Sequence, residues 1–183
     1  MKMLLFGKNG QVGWELQRAP APLGELVALD VEGEAGLCGD FANPEGLAET
    51  VRTVAPGIII NAAAHTAVDR AESEPELSRT INALAPGVLA QEAKRSGAWL
   101  IHYSTDYVFD GRGDIPWLVT DPTGPLSVYG TTKLAGEEII RTGGCRHLIF
   151  RTSWVYGARG SETVSPSSTT RLARPPVPTC WRM

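Results

Sequence analysis

The chain has 183 residues, 43% hydrophobic and 20% charged, with 17 Lys and Arg against 20 Asp and Glu. That is an ordinary folded-domain composition, and a net charge of −3 gives no general attraction to nucleic acid or an anionic membrane. No apolar run approaches the roughly 18 residues of a spanning helix, and the three scattered cysteines form neither a CxxC pair nor a disulfide framework. The expectation is a cytoplasmic protein with no nucleic-acid or membrane partner.

The first apolar run, 3–6, reads as a strand leading into Gly7-Lys8-Asn9-Gly10-Gln11-Val12-Gly13 and a helical pattern over 11–18. Glycines at this spacing permit a tight turn and let the backbone approach a pyrophosphate at a helix N-terminus. A second strand over 26–30 ends on Asp30, 20 residues past Gly10. Its carboxylate can accept hydrogen bonds from an adenosine ribose and repel a 2′-phosphate, favouring NADH over NADPH. Three turn glycines and a surface Asp would give the same string. The strand before and the helix after favour the dinucleotide reading.

Asn43-Pro44 opens a helix over 44–54 with a capping side chain and a proline at the first position. A strand over 58–61 follows, then a helix over 76–95 that Pro86-Gly87 should kink or split. A strand over 99–103 leads into Ser104-Thr105-Asp106-Tyr107, and 110–125 reads as a surface loop. Ser127 can cap a helix over 128–141, and the last strand covers 147–151. These strands are rich in Leu, Ile and Val, as strands buried on both faces should be. Their alternation with helices predicts an α/β fold with a doubly wound parallel sheet, Rossmann-like.

Tyr129 and Lys133 lie four apart on one helix, so they share a face. A phenol of pKa about 10 is a poor acid–base group at neutral pH. A neighbouring cation favours phenolate and brings it closer to working pH. Lys133 can also hold a nicotinamide ribose. Thr105 ends a strand on the side where ligands bind in open α/β sheets, and its hydroxyl can hydrogen-bond a substrate oxygen that changes charge. A YxxxK string is common by chance. Its order after the glycine loop and Thr105 is what gives it weight.

The strings Gly7 to Gly13, Asn61-Ala-Ala-Ala-His65-Thr66, Ser104 to Gly111, Val128 to Glu137 and Arg151 to Tyr156 resemble the dTDP-4-dehydrorhamnose reductases, extended short-chain dehydrogenase/reductases. The resemblance runs from residue 1 to about 160. It implies hydride transfer from NADH or NADPH to C4 of dTDP-4-dehydro-L-rhamnose, with Tyr129 protonating the alkoxide and Thr105 and Lys133 assisting. It places Gly7, Gly10, Gln11, Val12, Gly13, Asp30, Asp40, Phe41, Ala63, Ala64, Tyr129 and Lys133 at the cofactor, and Thr105, Asp106 and Trp154 at the sugar nucleotide. It also implies a homodimer for longer members. A dehydratase would carry an Asp-Glu pair after the Thr, whereas Thr105 is followed by Asp106-Tyr107. The alternative is a non-catalytic module resembling the regulatory subunit of methionine adenosyltransferase, against which the intact Tyr129 and Lys133 argue.

Other residues read more plainly. His65 can line the cofactor site or serve as a polar turn residue, and His102 and His147 read as structural. Trp14 and Trp99 fit packing, and Glu137-Glu138 with Arg141 reads as a solvated helix face. No zinc spacing is present. Some family members bind magnesium, at a position matching Glu15, but no ligand set is assignable here. Residues 161–183 hold eight Ser/Thr and four Pro without apolar periodicity and read as a disordered tail. The expected organisation is a dinucleotide-binding domain over 1–160, with the substrate domain largely missing. Ser168 to Arg171 can be encoded by codons that, shifted by one base, read Val-Asn-Asp-Gln, a family segment. The expectation is therefore a changed reading frame shortly after Gly160, weak cofactor binding and little turnover.

Overall fold

The computed structural model describes residues 1–112 and 115–155. The expected boundary near 160 and the tail over 161–183 lie outside the described residues, as does Tyr156. Five strands form one parallel sheet in the order β2-β1-β3-β4-β5. They are β1 (Lys2–Phe6), β2 (Glu25–Leu29), β3 (Ile58–Asn61), β4 (Trp99–Thr105) and β5 (Arg146–Thr152). The expected α/β sheet is present. Chain order reverses direction between β1 and β3, so the loops leaving these strands diverge and open a crevice at their carboxyl ends.

The helices are α1 (Gln11–Leu16), α2 (Pro44–Val54), α3 (Val68–Ser73), α4 (Pro75–Arg79), α5 (Ala85–Ser96) and α6 (Val128–Gly143). Asn43 caps α2 by accepting from the Gly46 N–H at 3.0 Å, and Ser127 caps α6 by accepting from the Gly130 N–H at 3.1 Å, as the sequence indicated. Leu4, Phe6, Ile59 and Leu100 project from one sheet face into a core with Leu47 and Val51 of α2, Leu89 of α5 and Ile140 of α6. Burial of these side chains stabilises the fold by about 1.5–3 kcal/mol each.

Two expectations need correction. The strands are not all buried on both faces. Leu148 and Phe150 of β5 are nearly half exposed, because β5 ends the described sheet and α6 covers only its other side. The expected helix over 76–95 is also split one turn earlier than its proline. Pro86 has no N–H to donate to the Asn82 carbonyl. The chain answers with a π-helical turn over Thr80–Leu84, in which the Ala85 N–H reaches back to the Thr80 carbonyl. The short α3, which lacks a side-chain cap, had no clear signal in the sequence.

Candidate active site

The parallel sheet gathers the sequence-predicted residues at one edge. Gly7–Gly13 follows β1, Asp30 follows β2, Ala63 and Ala64 follow β3, Thr105 closes β4 and Trp154 follows β5. The glycine loop is shaped by steric necessity. Gly7 has φ +83, and a Cβ there would lie 2.7 Å from the Ala63 nitrogen. A Cβ on Gly13 would lie 1.9 Å from the Gly7 carbonyl oxygen, so only glycine lets α1 lie so close to the turn. Gly10 precedes α1 without a side-chain cap. The Gln11 Oε1 is buried without a hydrogen-bond partner among the described residues. An orphaned acceptor beside this turn fits a ligand that donates hydrogen bonds.

Asp30 accepts the Asn9 N–H at 2.8 Å through Oδ2 and the Val31 N–H at 2.9 Å through Oδ1. Its carboxylate thus ties the glycine loop to the end of β2 and keeps further lone pairs free for a ligand. Asp40 accepts the Ala42 N–H at 2.8 Å. Phe41 is a core residue, its ring edge-on to Phe6 at 5.5 Å, so any contact it makes with a cofactor involves little of the side chain.

On the other flank, the Thr105 hydroxyl is near enough to the Tyr129 phenol to favour its ionised form. It donates to Asp106 Oδ1 and accepts the Tyr107 N–H, both at 3.2 Å. The Tyr107 ring stands edge-on to Tyr129 at 5.7 Å. Burial pushes the Tyr129 phenol above its ordinary value; the Thr105 hydroxyl opposes this, and Asp106 and Tyr107 add to the rise. The phenol is therefore neutral at neutral pH.

The expected pairing of Lys133 with the phenol is not what the structure shows. The Lys133 amine donates to the Tyr103 carbonyl at 2.6 Å and lies 3.4 Å from His102 Nε2. It is 1% exposed, and burial lowers it to about 8 against the charge of Glu137. Trp154, exposed and at φ +36, stands after β5. The structure brings Thr105, Asp106 and Tyr129 together, while Lys133 is buried against β4.

Glu137 is a further correction. It is fully buried rather than solvated, accepting from Ser104 Oγ at 2.6 Å and Arg151 Nη2 at 2.7 Å. Arg141, one turn on, pairs with the same carboxylate. Burial pushes its carboxyl up, but the Arg151 and Ser104 bonds and the Arg151 and Arg141 charges together hold it below its ordinary value. Helical spacing alone could not distinguish this face, because the partner Arg151 comes from β5. Trp14 and Trp99 are both more than a third exposed, with the Arg146 guanidinium 5.5 Å from the Trp99 ring.

Sequence reasoning missed Asn82. Its Oδ1 accepts the His65 N–H at 2.9 Å, and its Nδ2 faces the His65 carbonyl, Ser78 Oγ and Thr132 Oγ1. It joins the loop after β3 to the helix that carries Lys133. Among the described residues, no group of three or more His, Cys, Asp or Glu could hold a metal ion, and Glu15 pairs with Arg18. No described helix is long and apolar enough to cross a membrane.

The model of the RmlD substrate binding domain matches residues 1–174. The dTDP-4-dehydrorhamnose reductase of Escherichia coli K12 is 64% identical over 162 residues, covering 88% of this chain and 54% of the relative. The Salmonella typhimurium reductase is 62% identical over the same length. A crystal structure of the Clostridium acetobutylicum reductase superposes with a TM-score of 0.81 at 37% identity, over 88% of this chain and 56% of that one. The Bacillus anthracis reductase, solved in complex with NADP, gives 0.80 at 34% identity over 87% and 56%. The chain thus spans about half the length of the relatives it matches. With the sheet, the glycine turn and the Thr105–Tyr129 pair in agreement, it belongs to the dTDP-4-dehydrorhamnose reductase (RmlD) family.

Proposed function

We propose that this chain carries the dinucleotide-binding and proton-donating part of a reductase that converts dTDP-4-dehydro-L-rhamnose to dTDP-L-rhamnose in the cytoplasm. The observation that carries this reading is the gathering of Thr105, Tyr107 and Tyr129 at the carboxyl end of β4, with Thr105 accepting the Tyr107 N–H and the Tyr107 ring edge-on to Tyr129 at 5.7 Å, on the same sheet edge as the glycine turn. The Gly7–Gly13 turn, Gln11, Asp30 and the residues after β3 would hold NADH or NADPH, which supplies the hydride. The NADP complex of the Bacillus anthracis relative supports a nicotinamide dinucleotide, and the Asp30 carboxylate favours the form without a 2′-phosphate.

Tyr129 is the proton donor. Its phenol is neutral where it stands, and the Thr105 hydroxyl can steady the phenolate left behind. As the sugar carbonyl becomes an alkoxide, the phenolic proton moves to that oxygen, and the Lys133 cation favours the resulting phenolate. Asp106, which accepts from Thr105, and Trp154, which follows β5, are the proposed sugar-nucleotide contacts. Residues 1–160 form the proposed domain, and the homodimer implied for longer members belongs to the same proposal.

The test is NADH and NADPH oxidation by the purified chain with dTDP-4-dehydro-L-rhamnose, alongside dinucleotide binding by fluorescence. Weak dinucleotide binding and slow sugar-dependent oxidation are expected, the oxidation falling to background in Tyr129→Phe. Dinucleotide binding with no sugar-dependent oxidation would favour the binding-module alternative. Absence of both would overturn the proposal.

A further inference from the structure

The catalytic helix is backed by a buried polar chain that the proposed reaction does not use. It begins at the Ala63 N–H, which donates to Asn61 Oδ1 at 3.0 Å. That bond fixes the Asn61 carboxamide, so Nδ2 faces His102 Nδ1 at 3.0 Å. A carboxamide nitrogen can only donate, so Nδ1 must accept. The neutral imidazole therefore carries its hydrogen on Nε2, the atom 3.4 Å from Lys133 Nζ. His102 is neutral on physical grounds: it is wholly buried and faces a lysine, and both push it well below its ordinary value.

An N–H facing an ammonium is a donor against a donor. The Tyr103 carbonyl, at 2.6 Å, is the lysine's acceptor on β4. Glu137, whose charge favours the ammonium, is itself engaged by Arg151, Arg141 and Ser104. The groups around Lys133 are thus His102 and the Tyr103 carbonyl from β4, Asn61 behind His102 from β3, and Glu137 on α6.

We propose that His102, held by Asn61 in the Nε2–H tautomer, is a positioning residue that biases Lys133 toward the uncharged amine. An acceptor brought to the amine from outside, such as a ribose hydroxyl, then favours the charged form. The charge that assists Tyr129 is in this way coupled to ligand arrival. This inference rests on the reading of Lys133 given above, but its test needs neither sugar nor dinucleotide, so the two can fail separately.

The first measurement is the His102 ring tautomer in the native chain, by long-range proton–nitrogen correlation NMR. The Nε2–H pattern is expected, and an Nδ1–H pattern would overturn the proposal. The second is the titration of Lys133 through its ε-carbon, with a midpoint of about 8 expected in the native chain. Asn61→Asp presents a carboxylate to Nδ1, draws the hydrogen there and frees Nε2 to accept from the ammonium. The ring should switch tautomer and the lysine midpoint rise by about one pH unit or more. His102→Gln keeps an acceptor for Asn61 and a donor for Lys133, so its midpoint should stay near the native one. An unmoved midpoint in Asn61→Asp, or an equal rise in His102→Gln, would sink the idea. A purely structural histidine predicts no such pairing of tautomer and titration.

Discussion

The two flanks of the sheet solve different problems with different materials. The β1–β2 flank is built from backbone and missing side chains: Gly7 and Gly13 allow approaches that any Cβ would block, and Asp30 braces the turn through main-chain N–H groups. The β4–β5–α6 flank is built from buried ionisable groups: His102, Lys133 and Glu137 are 0–1% exposed. The first is specified by volume, the second by charge. Substitutions should therefore fail for different reasons, and respond differently to pH.

The largest effect should come from Glu137→Gln, which leaves the Arg151 guanidinium buried without its countercharge. A loss of about 3–5 kcal/mol in denaturant unfolding is expected. The pH signature follows from its lowered carboxyl value. The native contribution is present above the ordinary carboxyl value of 4.5 and is lost as pH falls through the lower folded value. Native protein should lose stability on that acid limb more steeply than Glu137→Gln. Equal slopes would show that Glu137 is not the buried anchor of this flank.

Lys133→Met should act with the opposite sign. A lysine lowered to about 8 in the fold, from 10.5, binds fewer protons there than in the unfolded chain. Native stability should rise from pH 8 upward, until the Cys145 thiol and Tyr129 phenol, both raised chiefly by burial, oppose it. Lys133→Met should lack that rise and be more stable than native protein at neutral pH by about 1–3 kcal/mol. A flat native profile between pH 8 and 9 would contradict it.

On the glycine flank, Gly13→Ala should cost about 1–3 kcal/mol through overpacking and weaken dinucleotide binding, with no distinctive pH dependence. Thermal melts at two pH values separate it from the charge variants. The smallest effect is expected for Asn43→Ala, which removes the α2 cap and should cost about 1 kcal/mol, again independent of pH above the acid limb. Any strong pH dependence in these two would blur the contrast between the flanks.

The same contrast explains what could be read from the chain beforehand. The glycine turn, the Asn43 and Ser127 caps and the strand positions are local events, each written within a few neighbouring residues. Thr105 and Tyr129 were legible because strand ends and helix faces follow from periodicity. The burial of Glu137 was not, since it depends on Arg151 and Ser104 arriving from two strands. Nor was the station of Lys133, because an i,i+4 relation to Tyr129 says which face it shares but not which acceptor wins. Asn82 escaped notice because its role depends on a helix defect that Pro86 signals only indirectly.

That defect has a consequence for how this chain can change length. A π turn is a helix holding one residue more than its hydrogen bonds would regularly span. Deleting one residue between Thr80 and Leu84 would let the segment relax to ordinary helix. It would also rotate whatever precedes the deletion by about 100° relative to α5. Asn82 could then no longer face both the loop at His65 and the hydroxyl of Thr132. The extra residue works as a spacer, making this stretch intolerant of single-residue deletion even where substitution is harmless.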